Sequence, residues 1–87
     1  MAKYELRLKD SVRKDLRRIP QVDVRRILHV LEDLRDEPRP GVSVKLRGSE
    51  RYRIRQGDYR IIYQILDADL VVYVVKVGHR RDNYERL

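Results

Sequence analysis

RYRIRQGDYRIIYQI, residues Arg51 to Ile65, is the stretch on which the fold turns. Side chains alternate between the two faces of a strand. Arg51, Arg53 and Arg55 therefore share one face, with Tyr52 and Ile54 on the other. Gly57-Asp58 has the composition of a two-residue hairpin turn. Around that turn Arg55 pairs with Arg60 and Arg53 with Ile62, so the arginines of both strands stand on one wall. Like charges directly opposed in a sheet destabilise it, by a few tenths to ~1 kcal/mol per pair. A polyanion bound against the wall removes that repulsion, so the hairpin is expected to form one side of a phosphate-binding groove.

Downstream, Asp67-Ala68-Asp69 predicts a three-residue turn into a further strand. That register sets Lys76 opposite Arg60. It also gathers Val71, Tyr73, Val75 and Val77 with Tyr59, Ile61, Tyr63 and Ile65 on an apolar face. The basic wall then holds Arg51, Arg53, Arg55, Arg60 and Lys76 around a floor of Ile62 and Val74. If VGHRRDNY prolongs the last strand, Arg80 emerges at the same end, with Tyr84 close behind.

Upstream, KYELRLK (Lys3 to Lys9) alternates apolar and charged residues as a half-buried strand does. Asp10 or Ser11 is placed to cap a short helix carrying Val12, Leu16 and Ile19. Pro20 interrupts it, and a longer helix from about residue 22 to 36 carries a stripe of Val24, Ile27, Leu28, Leu31 and Leu34. EPRPGVS (Glu37 to Ser43) is the one Pro/Gly-rich connection, too short for a domain linker. An extended piece around VKLRG follows, then strands at about 50–56, 59–66 and 70–77. The order β-α-α-β-β-β predicts one α+β domain over residues 1–87, with an N-terminal strand and a helical hairpin on one face of a twisted antiparallel sheet.

Composition narrows the function classes. The chain of 87 residues carries a net charge of +7 with 40% of its residues charged, and such a chain is drawn to polyanions. Sixteen of its 21 basic residues are arginine, whose planar fork suits phosphate. No cysteine is present, so neither a disulfide nor a thiolate metal site is expected. The two histidines, His29 and His79, lie fifty positions apart and do not suggest a metal site. No cofactor is expected. The N-terminus has no apolar signal core, and no apolar run approaches the ~18 residues of a membrane span, which points to the cytoplasm.

Two residues near the wall bear on chemistry. Tyr84 is suited to stacking on a base or to proton transfer. His79 is the one residue there with an ordinary pKa near neutrality. With the arginines they fit cleavage of RNA by its own 2'-hydroxyl. That reaction needs a base, positive charge around phosphorus and an acid at the leaving oxygen. His29, beside the apolar stripe of the long helix, is expected to be structural, as are Tyr52, Tyr59, Tyr63 and Tyr73 on the apolar face.

KLRGSERYRIRQGDYRIIYQI, followed by VVYVVKVGHRRDNY, resembles the RelE/ParE superfamily of bacterial and archaeal toxins, and the RelE branch most nearly. The resemblance rests on four elements in order: K-L-x-G, a Y-[KR]-[IV]-[KR] strand, a G-x-Y-R-[IL]-[IV]-Y hairpin and a V-G-[HK]-R…Y tail. It implies a RelE-like microbial RNase fold and ribosome-dependent, metal-independent cleavage of mRNA in the A site. It implies Arg60 and Arg80 at the phosphorane and Tyr84 on the substrate. Arg51, Arg53, Arg55, Lys76, Lys45 and Arg47 would contact RNA. Relatives often carry lysine at the positions of Arg53 and Arg55, and arginine is a poor base. The base then falls to His79 or Tyr84. The resemblance also implies a RelB-like antitoxin whose acidic, amphipathic segment wraps the domain, with operator DNA bound only through it. The 70S ribosome and mRNA are the other implied partners. A ParE-like inhibitor of DNA gyrase and a non-catalytic nucleic-acid or ribosome-binding module are the competing functions.

Overall fold

A computed structural model describes residues 3–82. Strand β1 (Glu5–Leu8) leads into helix α1 (Asp10–Arg17) and helix α2 (Gln21–Leu34). Strands β2 (Val44–Lys45), β3 (Arg51–Gln56), β4 (Tyr59–Leu66) and β5 (Val71–His79) follow. They form one sheet in the order β1-β5-β4-β3-β2. All neighbours are antiparallel except β1 and β5, which run parallel. The helical hairpin thus carries the chain from one edge of the sheet to the other.

The helix starts differ in detail from expectation. Neither Asp10 nor Ser11 caps α1; Lys9 occupies the cap position without a side-chain hydrogen bond, and Asp10 lies in the first turn. Pro20 ends the break and precedes α2, a position where its missing N–H costs nothing. Ile27, Leu31 and Leu34 of α2 are buried, but Leu28 is 44% exposed. Each helical residue is rotated ~100° from the last, so Leu28 swings off the sheet-facing stripe that Ile27 and Leu31 share. The core between helices and sheet is Val12, Ile27, Leu31, Leu34, Ile54, Ile61, Tyr63, Val72, Val74 and Val77.

The β3–β4 hairpin has the expected two-residue turn, with Gly57 at φ 59 and the pairs Gln56–Tyr59, Arg55–Arg60 and Arg53–Ile62. The β4–β5 register differs from expectation. The turn holds four residues, a 3-10 turn at Asp67–Asp69 followed by Leu70 in the left-handed region, and Leu66 pairs with Val71. A bulge then leaves Val75 between the pairs Tyr63–Val74 and Ile62–Lys76. As a result Val77 faces the helices as expected, but Val72 and Val74 join it there in place of the expected Val71, Tyr73 and Val75. Val74 is core and not floor of the basic wall. Tyr73 is on the arginine face, paired with Gln64. Lys76 sits opposite Ile62, and Gly78 opposite Arg60.

Hydrogen bonds tie the 37–43 connection to the sheet. Tyr63 is fully buried, stacks on Tyr52 at 5.8 Å between centroids, and donates its hydroxyl to the Pro38 carbonyl at 2.8 Å. Arg39 donates to both oxygens of Asp67, at 2.8 and 3.3 Å, and to the Tyr52 hydroxyl. Tyr4 donates to the same carboxylate at 2.8 Å. Asp67 therefore titrates below its ordinary value, chiefly through the Arg39 hydrogen bonds and then that of Tyr4.

Tyr63→Phe will leave the Pro38 carbonyl without its donor and lower stability by about 1–2 kcal/mol, read from denaturant unfolding. A depressed carboxylate pKa contributes stability above the unfolded value and loses it as pH falls. The Asp67 clasp will accordingly weaken below about pH 4. In thermal melts over that range, Asp67→Asn will show a smaller acid loss than the parent chain, and equal losses would rule the clasp out as a contributor.

Candidate nucleic-acid interface

The alternation that buries Ile54, Ile61 and Tyr63 against the helices turns the intervening residues of β3 and β4 outward on the opposite face. There Arg55 stands beside Arg60, and Arg53 beside Ile62, one step along the sheet. Arg51 follows, paired with Gln64. Successive same-face residues are about 7 Å apart along a strand. Ile62 is only 1% exposed, yet it lies outside the core cluster under the helices. It is the apolar floor of the wall.

Electrostatics single out this wall. Among the described residues, none of Arg51, Arg53, Arg55 and Arg60 has an ion-pair partner. The Nε of Arg60 is buried without an acceptor among the described residues. A buried donor left unpaired is costly, and a charged one more so. Burial lowers the pKa of the Arg53 guanidinium, and the charges of Arg55 and Arg60 lower it further. The charges of Arg55 and Arg60 thus act on Arg53, and a bound polyanion offsets that repulsion.

The remaining candidates separate. Arg80 follows β5 at the end of the wall nearest Arg60. Its backbone N–H donates to the Asp58 carbonyl at 2.7 Å, and its Nε lies 3.6 Å from the Asp58 carboxylate. The side chain is 64% exposed, so that contact leaves it free to turn to a ligand. Lys76 shares the arginine face by register, but its ammonium is bound to Asp15 at 2.9 Å. The other Asp15 oxygen accepts the Val77 N–H, beyond the point where β1 ceases to cover β5. Lys45 pairs with Tyr52 and so points to the other face, while Arg47 is exposed in the turn between β2 and β3. Tyr84 lies outside the described residues.

His79 is not in the groove. It pairs with Tyr59, their rings meeting edge to face at 5.5 Å, on the side of the sheet that the helices cover. There it lines a cavity of about 280 Å³ with Asp15, Arg18, Ile19 and Tyr59. Alternation already gives residue 79 the parity of Val77, which faces the helices; nearness in sequence to Arg80 does not bring His79 to the wall. Asp15, which draws Lys76 away from the wall, was not visible from the sequence because it is 61 positions distant.

The family sequence model described as "ParE toxin of type II toxin-antitoxin system, parDE" matches residues 6–84. Toxin RelG of Mycobacterium tuberculosis is 31% identical over 95% of this chain and 98% of its own. The mRNA interferase toxin RelE of Escherichia coli K12 is 32% identical over 85% of this chain and 68% of its own. In three dimensions, the RelE-RelB complex of Pyrococcus horikoshii OT3 contains a chain that superposes with a TM-score of 0.82 at 32% identity, covering 93% of this chain and 99% of that one. Matched along nearly its whole length in both sequence and fold, the chain belongs to the RelE/ParE superfamily, as a RelE-type toxin of a type II toxin-antitoxin system.

Proposed function

We propose that this toxin is a metal-independent endoribonuclease that cuts mRNA in the ribosomal A site. The observation that carries the proposal is the cluster Arg53–Arg55–Arg60, which among the described residues has no ion-pair partner and holds a buried guanidinium nitrogen without an acceptor. The relative named an mRNA interferase supports the same chemistry. In that reaction the substrate 2'-oxygen forms a bond to the adjacent phosphorus while its proton passes to a base. The bond from phosphorus to the 5'-oxygen breaks, and an acid protonates that oxygen. The products are a 2',3'-cyclic phosphate and a 5'-hydroxyl.

Arg60 and Arg80 are assigned to the phosphorane, where preorganised positive charge has its largest effect. Arg53, Arg55 and Arg51 hold flanking phosphates, and Arg47 extends the contact surface. Lys45 reaches RNA only around the β2 edge, and Lys76 only after release from Asp15. Proton transfer is assigned to Tyr84, since His79 faces the helices with the sheet between it and Arg60.

The second reading, inhibition of DNA gyrase, is favoured by the ParE description of the matching family. A purely binding module is the third. The antitoxin is proposed to be RelB-like, as in those structural neighbours that are RelE-RelB complexes. Val22, Leu28, Val42 and Val44 are 44–74% exposed along α2 and the β2 edge and offer it apolar anchors. Operator DNA is bound only through that antitoxin. Ribosomes and mRNA place the toxin in the cytoplasm, and no described helix is long and apolar enough to cross a membrane.

Primer extension on a reporter mRNA in a reconstituted translation system tests the assignment. The wild-type chain will cut at codon-phased positions only while ribosomes translate. Arg60→Ala with Arg80→Ala will slow cutting by about 100-fold or more. Tyr84→Phe will also slow it, whereas His79→Gln will not. Intact mRNA together with loss of plasmid supercoiling would replace this reading with gyrase inhibition. The wall also predicts a trade. Arg55→Gln will raise stability at low salt by a few tenths to ~1 kcal/mol in denaturant unfolding, as it relieves the Arg55–Arg60 opposition. The gain will shrink at ~1 M salt, where charges are screened within about 3 Å.

A further inference from the structure

We propose that the basic face carries a nucleobase-binding subsite one row beyond the arginine wall, built by Tyr73 with Gln64 and flanked by Arg7 and Arg51. It rests on the nucleic-acid reading above and extends it from phosphate to base. The sheet register pairs Arg7 with Tyr73, Tyr73 with Gln64 and Gln64 with Arg51. The four side chains therefore form one row across β1, β5, β4 and β3. The next row holds Lys76, Ile62 and Arg53, and the one after holds Gly78, Arg60 and Arg55. Rows follow at about 7 Å, a step comparable with that between phosphates of an extended single strand. A strand laid along β3 past Arg55 and Arg53 reaches Arg51 next, with Tyr73 two strands away in the direction its base would project.

Tyr73 differs from the other described tyrosines. Tyr52 and Tyr63 stack on each other, Tyr59 meets His79, and the hydroxyls of Tyr4, Tyr52 and Tyr63 are hydrogen-bonded. Tyr73 is half-buried on the face away from the helices, with no ring contact and no side-chain hydrogen bond to a described residue. An aromatic ring among cations is the combination that single-strand binders use: stacking takes the base and charge takes the backbone. Gln64 beside it presents a donor and an acceptor together, as the Watson–Crick or Hoogsteen edge of a base requires. Arg7 is held by Glu5 at 3.1 Å, with both side chains about 60% exposed. An exposed pair of this kind is worth little and yields readily to a phosphate.

The test is fluorescence anisotropy of the full chain with two oligomers of equal length and charge. One is a 2'-fluoro single-stranded oligonucleotide that cannot be cleaved by its own 2'-oxygen; the other is its abasic counterpart. Tyr73→Ala will weaken binding of the base-bearing oligomer by at least about fivefold. It will leave the abasic one and the salt slope unchanged. Tyr73→Phe, which keeps the ring and the fold, will bind both as the parent does. Arg53→Ala will weaken both oligomers and reduce the salt slope by about one unit. If Tyr73→Ala binds the base-bearing oligomer as tightly as the parent, or weakens both oligomers alike, the subsite is overturned while the wall stands. If the parent chain binds neither oligomer, wall and subsite fall together.

Discussion

The register of β4 against β5 is the constraint from which the rest of the molecule follows. One residue, Val75, is left over between the Tyr63–Val74 and Ile62–Lys76 pairs. A bulge interrupts the period of two, so residues on either side of it reach the same face at odd spacing. Val72 and Val74 on one side, and Val77 on the other, thereby all enter the core beneath the helices. Tyr73, Lys76 and Gly78 stand on the arginine face, and His79 faces away from it. Gly78 offers no side chain opposite Arg60, so nothing on β5 competes for the space beside that guanidinium. Core and site are divided by a single insertion.

The parts of the fold legible in the sequence are those with local causes. In β3, cations and apolar residues alternate from Arg51 to Arg55, β4 keeps apolar residues at every position of the core face, and Gly57 takes the positive φ that the hairpin turn requires. Register, turn and arginine wall were therefore readable together. The β4–β5 pairing was not. VVYVV is apolar at both parities, so alternation says nothing about which valines face inward. The turn was undercounted because Leu70 adopts φ 52, a conformation that glycine or asparagine would have signalled and leucine does not. The parallel docking of β1 on β5 and the capture of Lys76 by Asp15 join distant segments, and no local pattern encodes them. These non-local facts decided which candidate site residues meet.

The charge distribution has a simple logic once the pairs are known. Glu5, Asp15, Glu32, Asp58 and Asp67 pair with Arg7, Lys76, Arg35, Arg80 and Arg39. None of the described acids reaches Arg51, Arg53, Arg55 or Arg60. The repulsion is borne by the same two strands that carry Ile54, Ile61 and Tyr63, so the wall is mounted directly on the best-buried part of the sheet. A rigid backing matters here. Guanidinium groups on a mobile loop would spread apart to relieve their repulsion, whereas strand pairing holds Arg55 and Arg60 side by side.

Arginine rather than lysine at these positions has a further consequence for chemistry. Burial and like charge push the Arg53 pKa down, yet a guanidinium starts so high that it stays protonated in proteins. The wall can therefore stabilise developing negative charge at every pH at which the fold survives, but it cannot accept the 2'-proton. Field and proton transfer must come from different places, and His79 lies across the sheet from the field. With mRNA as substrate, the described face supplies electrostatics and phosphate placement without a base of its own. Holding a substrate in its reactive geometry can contribute as much as the catalytic groups do. In the proposed reaction, a partner that held the 2'-oxygen in line with the scissile bond would make good that missing share.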